Sequence, residues 1–468
     1  MMFMNFYIFT ILLTQLNQIL GFSVSSHTPR KVVIVGGGIG GLASAFDARH
    51  ILHHEDEITV ISDRADFQFT PSNPWIGVRI RTEKEISLPL ASILPTHRIG
   101  FLNAAVTHLE PITQQLTLDN GSKVDYDFLI IATGPRLGFD EVPGMGPDHH
   151  SVSICVTPHA KEAAEALDHL AEDPGPIVIG AVQGSSCFGP AYEFAMLVHN
   201  ELKKRGGKKL LDSCPISFVT PEPYIGHLGL KGAGDSEKIL TDLLKERNVE
   251  MYTNCKVNKV ASDYVSISYH DKEMKPHSEK LPSKFTMLIP PFRGMNVWKS
   301  APGLTDRNGM ILTDSHQRSL KYPNIFGVGV CVHLDALEHT IIPTGVPKTG
   351  YMIESMGTAA VKNIKHIMDH PEDKDSLPYR ALLNGLCITD FGGDGAVFLS
   401  MPQMPPRKTD VTIHGKIATL TKIAFEKYFL HKIQTGDTDP YYEKSYPQYM
   451  LHLLGVDRVA LDAKITKY

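Results

Sequence analysis

The chain has 468 residues, of which 42% are hydrophobic and 21% are charged. This length and composition predict two or three packed domains and exclude a mostly disordered chain. A formal net charge of -5 gives no reason to expect a nucleic acid as a partner. The six cysteines include no CxxC pair and no cluster with zinc-ligand spacing, so we predict neither a bound metal nor a disulfide framework.

Residues 1–30 differ from the rest of the chain. They contain no Asp or Glu, and Arg30 is their only Lys or Arg. Polar residues interrupt the apolar run, which argues against a membrane-spanning helix. The pattern is typical of an organellar or secretory targeting segment, although a basic N-terminal region is absent. We predict a targeting segment and leave its destination and its cleavage open.

Residues 31–63 predict a strand, a Gly-rich turn, a helix and a second strand. The turn carries a G-x-G-x-x-G motif directly after the apolar strand, formed by Gly36, Gly38 and Gly41. Such glycines allow a tight turn, close approach of the backbone to a pyrophosphate, and helix–strand packing. The helix N-terminus then favours the phosphates. Ser62 stands where an acidic ribose-binding residue is usual. A tight turn without a ligand is the alternative.

Two later apolar strands end in small residues, as in flavoproteins with two dinucleotide-binding domains. These residues are Thr133 and Gly134 after the first strand and Gly329 and Val330 after the second. An Asp usually follows the last glycine, and Val330 replaces it. We therefore predict an α/β fold with two Rossmann-like domains. The FAD-binding domain, residues 31–150 and 291–400, is interrupted by the second domain, residues 151–290.

The second domain begins with an altered Gly-rich turn, PIVIGAVQGSSCFGP, at residues 176–190. Val182 replaces the second glycine, and a side chain there should obstruct a pyrophosphate. We therefore expect this domain not to bind NAD(P)H. Cys187 lies in the same turn, ahead of a predicted helix, and free backbone N–H groups there favour a thiolate. A small buried cysteine is the alternative.

Residues 401–468 are predicted to form an amphipathic region that associates with a membrane. A Pro-rich linker at 401–410 precedes a helix at 416–433, in which lysines occupy much of the surface outside one apolar face. That face contains Ile417, Leu420, Ala424, Phe425, Tyr428, Phe429 and Ile433. A helix packed on its own domain or on a partner subunit is the alternative, and a homo-oligomer stays open. No uncharged run is long enough to span a bilayer.

Taken together, the motifs resemble the sulfide:quinone oxidoreductase family, of the bacterial type with three essential cysteines. The matching stretches cover residues 31 to about 450 and include FQFTPSNPWIGV, SICVTPHA, GPIVIGAVQGSSCFGPAYEFAM, PTGVPKTGYMIESM and FEKYF. The resemblance implies a flavoenzyme associated peripherally with a membrane. Its expected cofactor is FAD, and its expected partners are sulfide, a membrane quinone and the membrane surface.

The resemblance also implies roles for individual residues. Cys187 and Cys387 would form the redox pair, with Cys155 as a third essential thiol. Protons would be handled by His159, His227 and Glu193. FAD would be bound by Gly36, Gly38, Gly41, Ser62, Asn73, Thr133, Gly134, Gly329 and Lys348. The quinone pocket would contain Lys422, Phe425 and Tyr442.

Three alternatives to this function stay open. A type II NADH:quinone oxidoreductase shares the fold but predicts an intact second glycine motif and no cysteine pair. The flavin subunit of a flavocytochrome sulfide dehydrogenase would be soluble and would pass electrons to a haem partner. A non-catalytic membrane flavoprotein, acting as a redox sensor, would bind FAD without turnover.

Overall fold

The computed structural model describes residues 27–438 and the short strand Ile465–Lys467. Two parts of the sequence-based predictions therefore lie outside the described residues. The first is nearly all of the targeting segment, residues 1–26. The second is the end of the C-terminal region, including Tyr442.

The chain up to residue 141 forms most of a parallel sheet, with smaller antiparallel elements beside it. Its strands are β1 Lys31–Val35, β2 Glu57–Ser62, β3 Asp66–Gln68, β4 Ser87–Pro89, β5 Gly100–Asn103, β6 Val106–Glu110, β7 Gln115–Leu118, β8 Lys123–Asp125, β9 Phe128–Ile131 and β10 Arg136–Leu137. Its α-helices are α1 Ile39–Ile51, α2 Asn73–Gly77, α3 Glu83–Ile86 and α4 Leu90–Ile93. β1 pairs in parallel with β2 and β9, and β2 pairs with β5. The apolar run of β1 is buried because both faces of a parallel sheet are covered.

The central part of the chain forms a second parallel sheet with its own helices. The α-helices are α5 Thr157–Glu172, α6 Gly189–Ser213 and α7 Ser236–Glu246. The strands are β11 Ile177–Ala181, β12 Ile216–Val219, β13 Glu250–Tyr252, β14 Cys255–Val260, β15 Tyr264–His270, β16 Pro276–Pro282, β17 Phe285–Ile289 and β18 Phe292–Arg293. The parallel order is β13-β12-β11-β17, and β14, β15 and β16 form an antiparallel sheet. β18 returns to pair with β10.

The last part of the chain completes the first sheet and adds a small antiparallel one. Its strands are β19 Ile325–Gly327, β20 Tyr379–Ala381, β21 Gly385–Asp390, β22 Gly395–Met401, β23 Thr409–His414 and β24 Ile465–Lys467. Its α-helices are α8 Gly350–Asp369 and α9 Lys416–Thr435. β19 pairs with β9, which gives the parallel order β19-β9-β1-β2-β5. α8 packs directly against α1.

The first sheet thus takes strands from both sides of the second sheet in the sequence, which is the interrupted α/β arrangement predicted above. The boundaries near residues 150 and 290 stay predictions. At residue 400 the chain does not change domain abruptly, because β22 pairs with both β21 and β23. The Pro-rich stretch 401–410, predicted as a linker, connects two paired strands.

The packing of α9 differs from the amphipathic pattern predicted from the sequence. Lys422 and Lys432, which the sequence pattern placed outside the apolar face, are each 2% exposed, whereas Leu420, on that face, is 61% exposed. The two lysines are buried because each forms an ion pair with a buried carboxylate, Lys422 with Glu193 and Lys432 with Glu354. The helix therefore packs on the protein partly through charged residues and exposes part of its expected apolar face. Within the described residues, no helix has the length and hydropathy needed to cross a bilayer.

Candidate active site

The turn between β1 and α1 has the geometry of a nucleotide cradle. Gly36 has a φ of +125°, and a Cβ there would lie 2.2 Å from the carbonyl oxygen of Ala132. A Cβ on Gly41 would lie 1.8 Å from the carbonyl oxygen of Gly36. At Gly38, by contrast, an added Cβ would meet no described atom within 4 Å. The outer glycines thus permit close packing, and the middle one leaves room for a pyrophosphate.

One cavity of about 540 Å³ runs from this turn to α9. The residues predicted to bind FAD that line it are Gly36, Gly38, Ser62, Thr133, Gly134, Gly329 and Lys348. The residues predicted to take part in the chemistry that line it are Cys155, Cys187, Cys387, Glu193, Lys422 and Phe425. Side chains from both parallel sheets and from α9 therefore face a single space.

Four predicted residues are not brought to the cavity wall, namely Gly41, Asn73, His159 and His227. Gly41 packs under the glycine turn, as described above. Asn73 is buried, and its Oδ1 accepts a hydrogen bond from the hydroxyl of Thr157 at 3.0 Å. Its Nδ2 has no hydrogen-bond partner among the described residues.

The two predicted histidines are held away from the cavity by their own contacts. Burial lowers the pKa of His159, whose ring packs beside Phe139. His227 is buried, and its Nδ1 accepts the N–H of Gly229 at 3.2 Å. The ring proton therefore lies on Nε2, which is 2.7 Å from the carboxylate of Glu338. Burial lowers the pKa of His227, and Glu338 opposes that shift.

Three free thiols face the cavity: Cys155, Cys187 and Cys387. The sulfur of Cys387 lies against the start of α6, since a Cβ added to Gly189 would be 2.8 Å from it. Gly189 comes two residues after Cys187, so β21 and α6 bring this pair to the same part of the wall. The fold thereby joins two cysteines that are 200 residues apart in the sequence.

The expectation of a stabilised thiolate at Cys187 is wrong. Burial raises the pKa of this thiol well above its usual range, and the neighbouring Cys155 and Cys387 raise it further. Burial also raises the pKa of Cys155 to about 11 and that of Cys387 to about 12. Two of the backbone N–H groups expected to face the sulfur are used elsewhere: Gly184 donates to the carbonyl of Pro343 and Ser185 to that of Val182.

Residues 343–345 cross the altered turn of the second domain. Gly184 donates to the Pro343 carbonyl at 2.7 Å, and Gly345 donates to the Ser185 carbonyl at 2.8 Å. The side chain of Val182 is not the obstruction expected from the sequence, because it is fully buried in the core of the second domain. The chain itself therefore covers the place where a pyrophosphate would approach the backbone.

At the α9 end of the cavity, Glu193 and Lys422 form a buried ion pair. Burial raises the pKa of Glu193 to about 7, although Lys422 opposes the shift. The ammonium of Lys422 lies 4.7 Å from the ring centroid of Trp75, a cation–π distance. Phe425 packs against Phe429 beside the pair, with 4.8 Å between ring centroids. This end of the cavity thus combines an acid that titrates near neutral pH with aromatic rings.

Lys348 supplies a further positive charge on the cavity wall. Burial lowers its pKa to about 8, while Cys331 and Asp306 raise it. Cys331 itself is fully buried and donates weak hydrogen bonds to backbone carbonyls of Ile131 and Val328. Cys331 therefore packs behind the cavity wall.

Sequence reasoning missed residues that hold this site together. The indole of Trp75 donates to Asp390 at 2.8 Å, and the indole of Trp298, on the cavity wall, lies 3.3 Å from the hydroxyl of Thr133. A usable signal existed, because these are the chain's two tryptophans and Trp75 lies in the FQFTPSNPWIGV stretch. Asp390 had no such signal beyond its position three residues after Cys387.

Known proteins with similar sequences and folds identify the family of this chain. A family model described as pyridine nucleotide-disulphide oxidoreductase matches residues 30–185. The sulfide-quinone reductase of Aquifex aeolicus is 42% identical over 417 residues, which are 89% of this chain and 94% of that protein. The chain belongs to the sulfide-quinone reductase family. The resemblance inferred from the sequence is confirmed.

Solved structures support the same assignment. The X-ray structure of the sulfide:quinone oxidoreductase from the hyperthermophilic bacterium Aquifex aeolicus matches with a TM-score of 0.84 and 40% identity. The match covers 94% of this chain and 97% of that one. NDH2 from Plasmodium falciparum in complex with NADH matches with a TM-score of 0.68 and 15% identity, over 87% of this chain and 96% of that one. This second likeness concerns the fold alone.

Proposed function

We propose that the protein oxidises sulfide and reduces a membrane quinone, with FAD as its cofactor. The observation that carries the proposal is the single cavity, which holds the glycine turn, the cysteine pair and the Glu193–Lys422 pair together. When bound, FAD supplies two-electron transfer between the two half-reactions.

The residues of the first sheet fit this cofactor. The open position at Gly38 suits a pyrophosphate at the N-terminus of α1. Thr133, Gly134 and Gly329 line the same cavity at the ends of neighbouring strands. Lys348 places a positive charge on the wall, which favours a reduced anionic flavin ring. These residues are the ones that we assign to FAD binding.

On the sulfide side, Cys187 and Cys387 would hold the sulfur. Attack of hydrosulfide on the disulfide form of this pair forms one sulfur–sulfur bond and breaks another, which leaves a persulfide on one cysteine and a thiol on the other, the released sulfur taking the hydrosulfide proton. Oxidation of one hydrosulfide ion to zero-valent sulfur releases one proton and two electrons. Cys155, on the same wall, is placed to assist in release of the product. His159 and His227 would act on protons only through intervening groups, since neither lines the cavity.

On the quinone side, one quinone takes up the two electrons and two protons to become a quinol. Glu193 can supply a proton near neutral pH, and Lys422 and Phe425 would contact the quinone ring. Tyr442 stays a predicted member of this pocket. The exposed Leu420 of α9 supports peripheral association of this face with a membrane. Delivery by the segment at residues 1–30 is part of the same proposal.

The alternative of a type II NADH:quinone oxidoreductase fits the site less well. Residues 343–345 form hydrogen bonds with the backbone of Gly184 and Ser185 in the second Gly-rich turn, and three cysteines line the cavity beside it. A haem-coupled sulfide dehydrogenase would not need an acid–base pair between α6 and α9. A redox sensor would need no second half-reaction site at all.

The decisive experiment measures flavin absorbance of the purified, FAD-loaded protein after addition of sulfide and then of a short-chain quinone. We expect bleaching by sulfide and recovery with quinone. Cys187→Ala should abolish the bleaching, whereas Cys214→Ala, at the far end of α6, should keep it. Bleaching by NADH as fast as by sulfide would contradict the proposal.

A further inference from the structure

Asp390 is buried beside the Glu193–Lys422 pair, and the proposed chemistry above does not use it. It ends β21, three residues after Cys387, and is 4% exposed. Its backbone N–H donates to Oε1 of Glu193 at 3.1 Å, the same oxygen that pairs with Lys422. Two carboxyl groups and one ammonium group therefore share this end of the protein interior.

Both side-chain oxygens of Asp390 accept hydrogen bonds. Oδ2 accepts the indole N–H of Trp75 at 2.8 Å. Oδ1 accepts the hydroxyl of Thr419 at 2.7 Å and the backbone N–H of Gly392 at 3.2 Å. An indole and a backbone amide can only donate, and donors to a carboxylate stabilise its charge.

Glu193 differs from Asp390 in what surrounds it. It lines the cavity, and the groups that face it are Lys422 from α9 together with Asp390 and Cys387 from β21. Burying two negative charges beside one positive charge is costly, so one carboxyl is favoured to keep a proton. Asp390 has three donors of its own and does not line the cavity, whereas Glu193 does, so the proton that can reach the cavity is the one on Glu193.

We propose that Asp390 is a positioning residue for proton delivery by Glu193. Its backbone N–H orients the Glu193 carboxyl, and its charge adds to the effect of burial in keeping a proton on Glu193 that can pass toward the cavity. Trp75 contacts both Asp390 and Lys422. Its indole N–H donates to Asp390, and its ring centroid lies 4.7 Å from the ammonium of Lys422 and 4.7 Å from the guanidinium of Arg81. This inference rests on the proposed function, in which the quinone accepts the proton and Glu193 takes up another from water.

The test follows the protonation of Glu193 directly. Infrared difference spectra of the FAD-loaded protein are recorded against pH, and the carboxyl C=O band of Glu193 is identified by its loss in Glu193→Gln. We expect Asp390→Asn to shift this titration to lower pH by about one unit, because a neighbouring negative charge is removed. Trp75→Phe keeps an aromatic ring but removes one donor, and should shift it less, in the same direction.

Two further variants make the test specific. Thr419→Val removes another donor to Asp390 and should behave like Trp75→Phe. Thr421→Val, in the same helix, is the matched control, since its hydroxyl donates to the carbonyl of Ile417. We expect the control to titrate as the wild type. If Asp390→Asn does not fold, Trp75→Phe and Thr419→Val still decide the question.

Kinetics separate this inference from the proposed function. In Asp390→Asn, the rate at which quinone reoxidises the reduced flavin should begin to fall at a lower pH than in the wild type, by the same shift as the Glu193 titration. The rate of reduction by sulfide should be unchanged. An unshifted Glu193 titration in Asp390→Asn overturns the inference alone. A wild-type protein that sulfide reduces but quinone does not reoxidise overturns the proposed function instead.

Discussion

The two Gly-rich turns of the molecule share a strand–turn–helix frame but place their backbone N–H groups differently. In the first, α1 begins at Ile39, directly after Gly38, and the turn opens onto the cavity. In the second, α6 does not begin until Gly189, and the N–H of Gly184 is bound to Pro343. Cys187 lies in the additional residues that lengthen the second turn before α6 begins. In the second turn, the same strand–turn–helix arrangement therefore positions the Cys187 thiol, because the N–H of Gly184 is bound within the chain.

The largest expected effect comes from closing the first turn. Gly38 has an extended backbone with φ of −89°, so Gly38→Val should fold, yet its side chain would fill the place of the pyrophosphate. We expect bound FAD to fall by more than about tenfold, a loss above roughly 1.4 kcal/mol of binding free energy. Flavin absorbance per protein measures this, and an unchanged circular dichroism spectrum verifies the fold. Normal flavin content would contradict the assignment of this turn.

The converse change, in the second turn, should not restore a nucleotide site. Val182→Gly recreates the missing glycine, but residues 343–345 still cross the turn. We expect no reduction of the flavin by NADH and a stability loss of about 2 kcal/mol from the emptied core position. Urea denaturation and NADH-dependent bleaching are the two measurements. Rapid reduction by NADH would show that Val182, and not the crossing segment, sets the difference between the turns.

The smallest effect is expected where the crossing segment contacts the turn. A Cβ on Gly345 would lie 2.7 Å from Cβ of Ser186, so Gly345→Ala must displace one of them. We expect a loss of about 1 kcal/mol in the free energy of unfolding, read from urea denaturation. Gly350→Ala is the control for stability, because its nearest contacts would be 3.8 Å away. Equal stability of the two variants would mean that the segment is loosely held.

The sequence contains the first turn and the cysteines as local patterns, which is why both could be predicted. The burial of Lys422 could not, because the carboxylate that neutralises it, Glu193, is 229 positions away in the chain. The crossing of the second turn by residues 343–345 is likewise a long-range contact with no local signature. The roles of Asp390 and Trp75 could not be predicted for the same reason, because each depends on a contact with a residue in another element.

One helix has a consequence for both proposed half-reactions. α6 starts two residues after Cys187 and carries Glu193 in its first turns, so the proposed sulfur site and the acid at the proposed quinone end share one rigid element. A single residue inserted between them would rotate Glu193 by about 100° around the helix axis and turn it away from Lys422. The spacing between Cys187 and Glu193 is therefore fixed by the helix. An insertion or deletion between them would displace one of the two residues relative to the other.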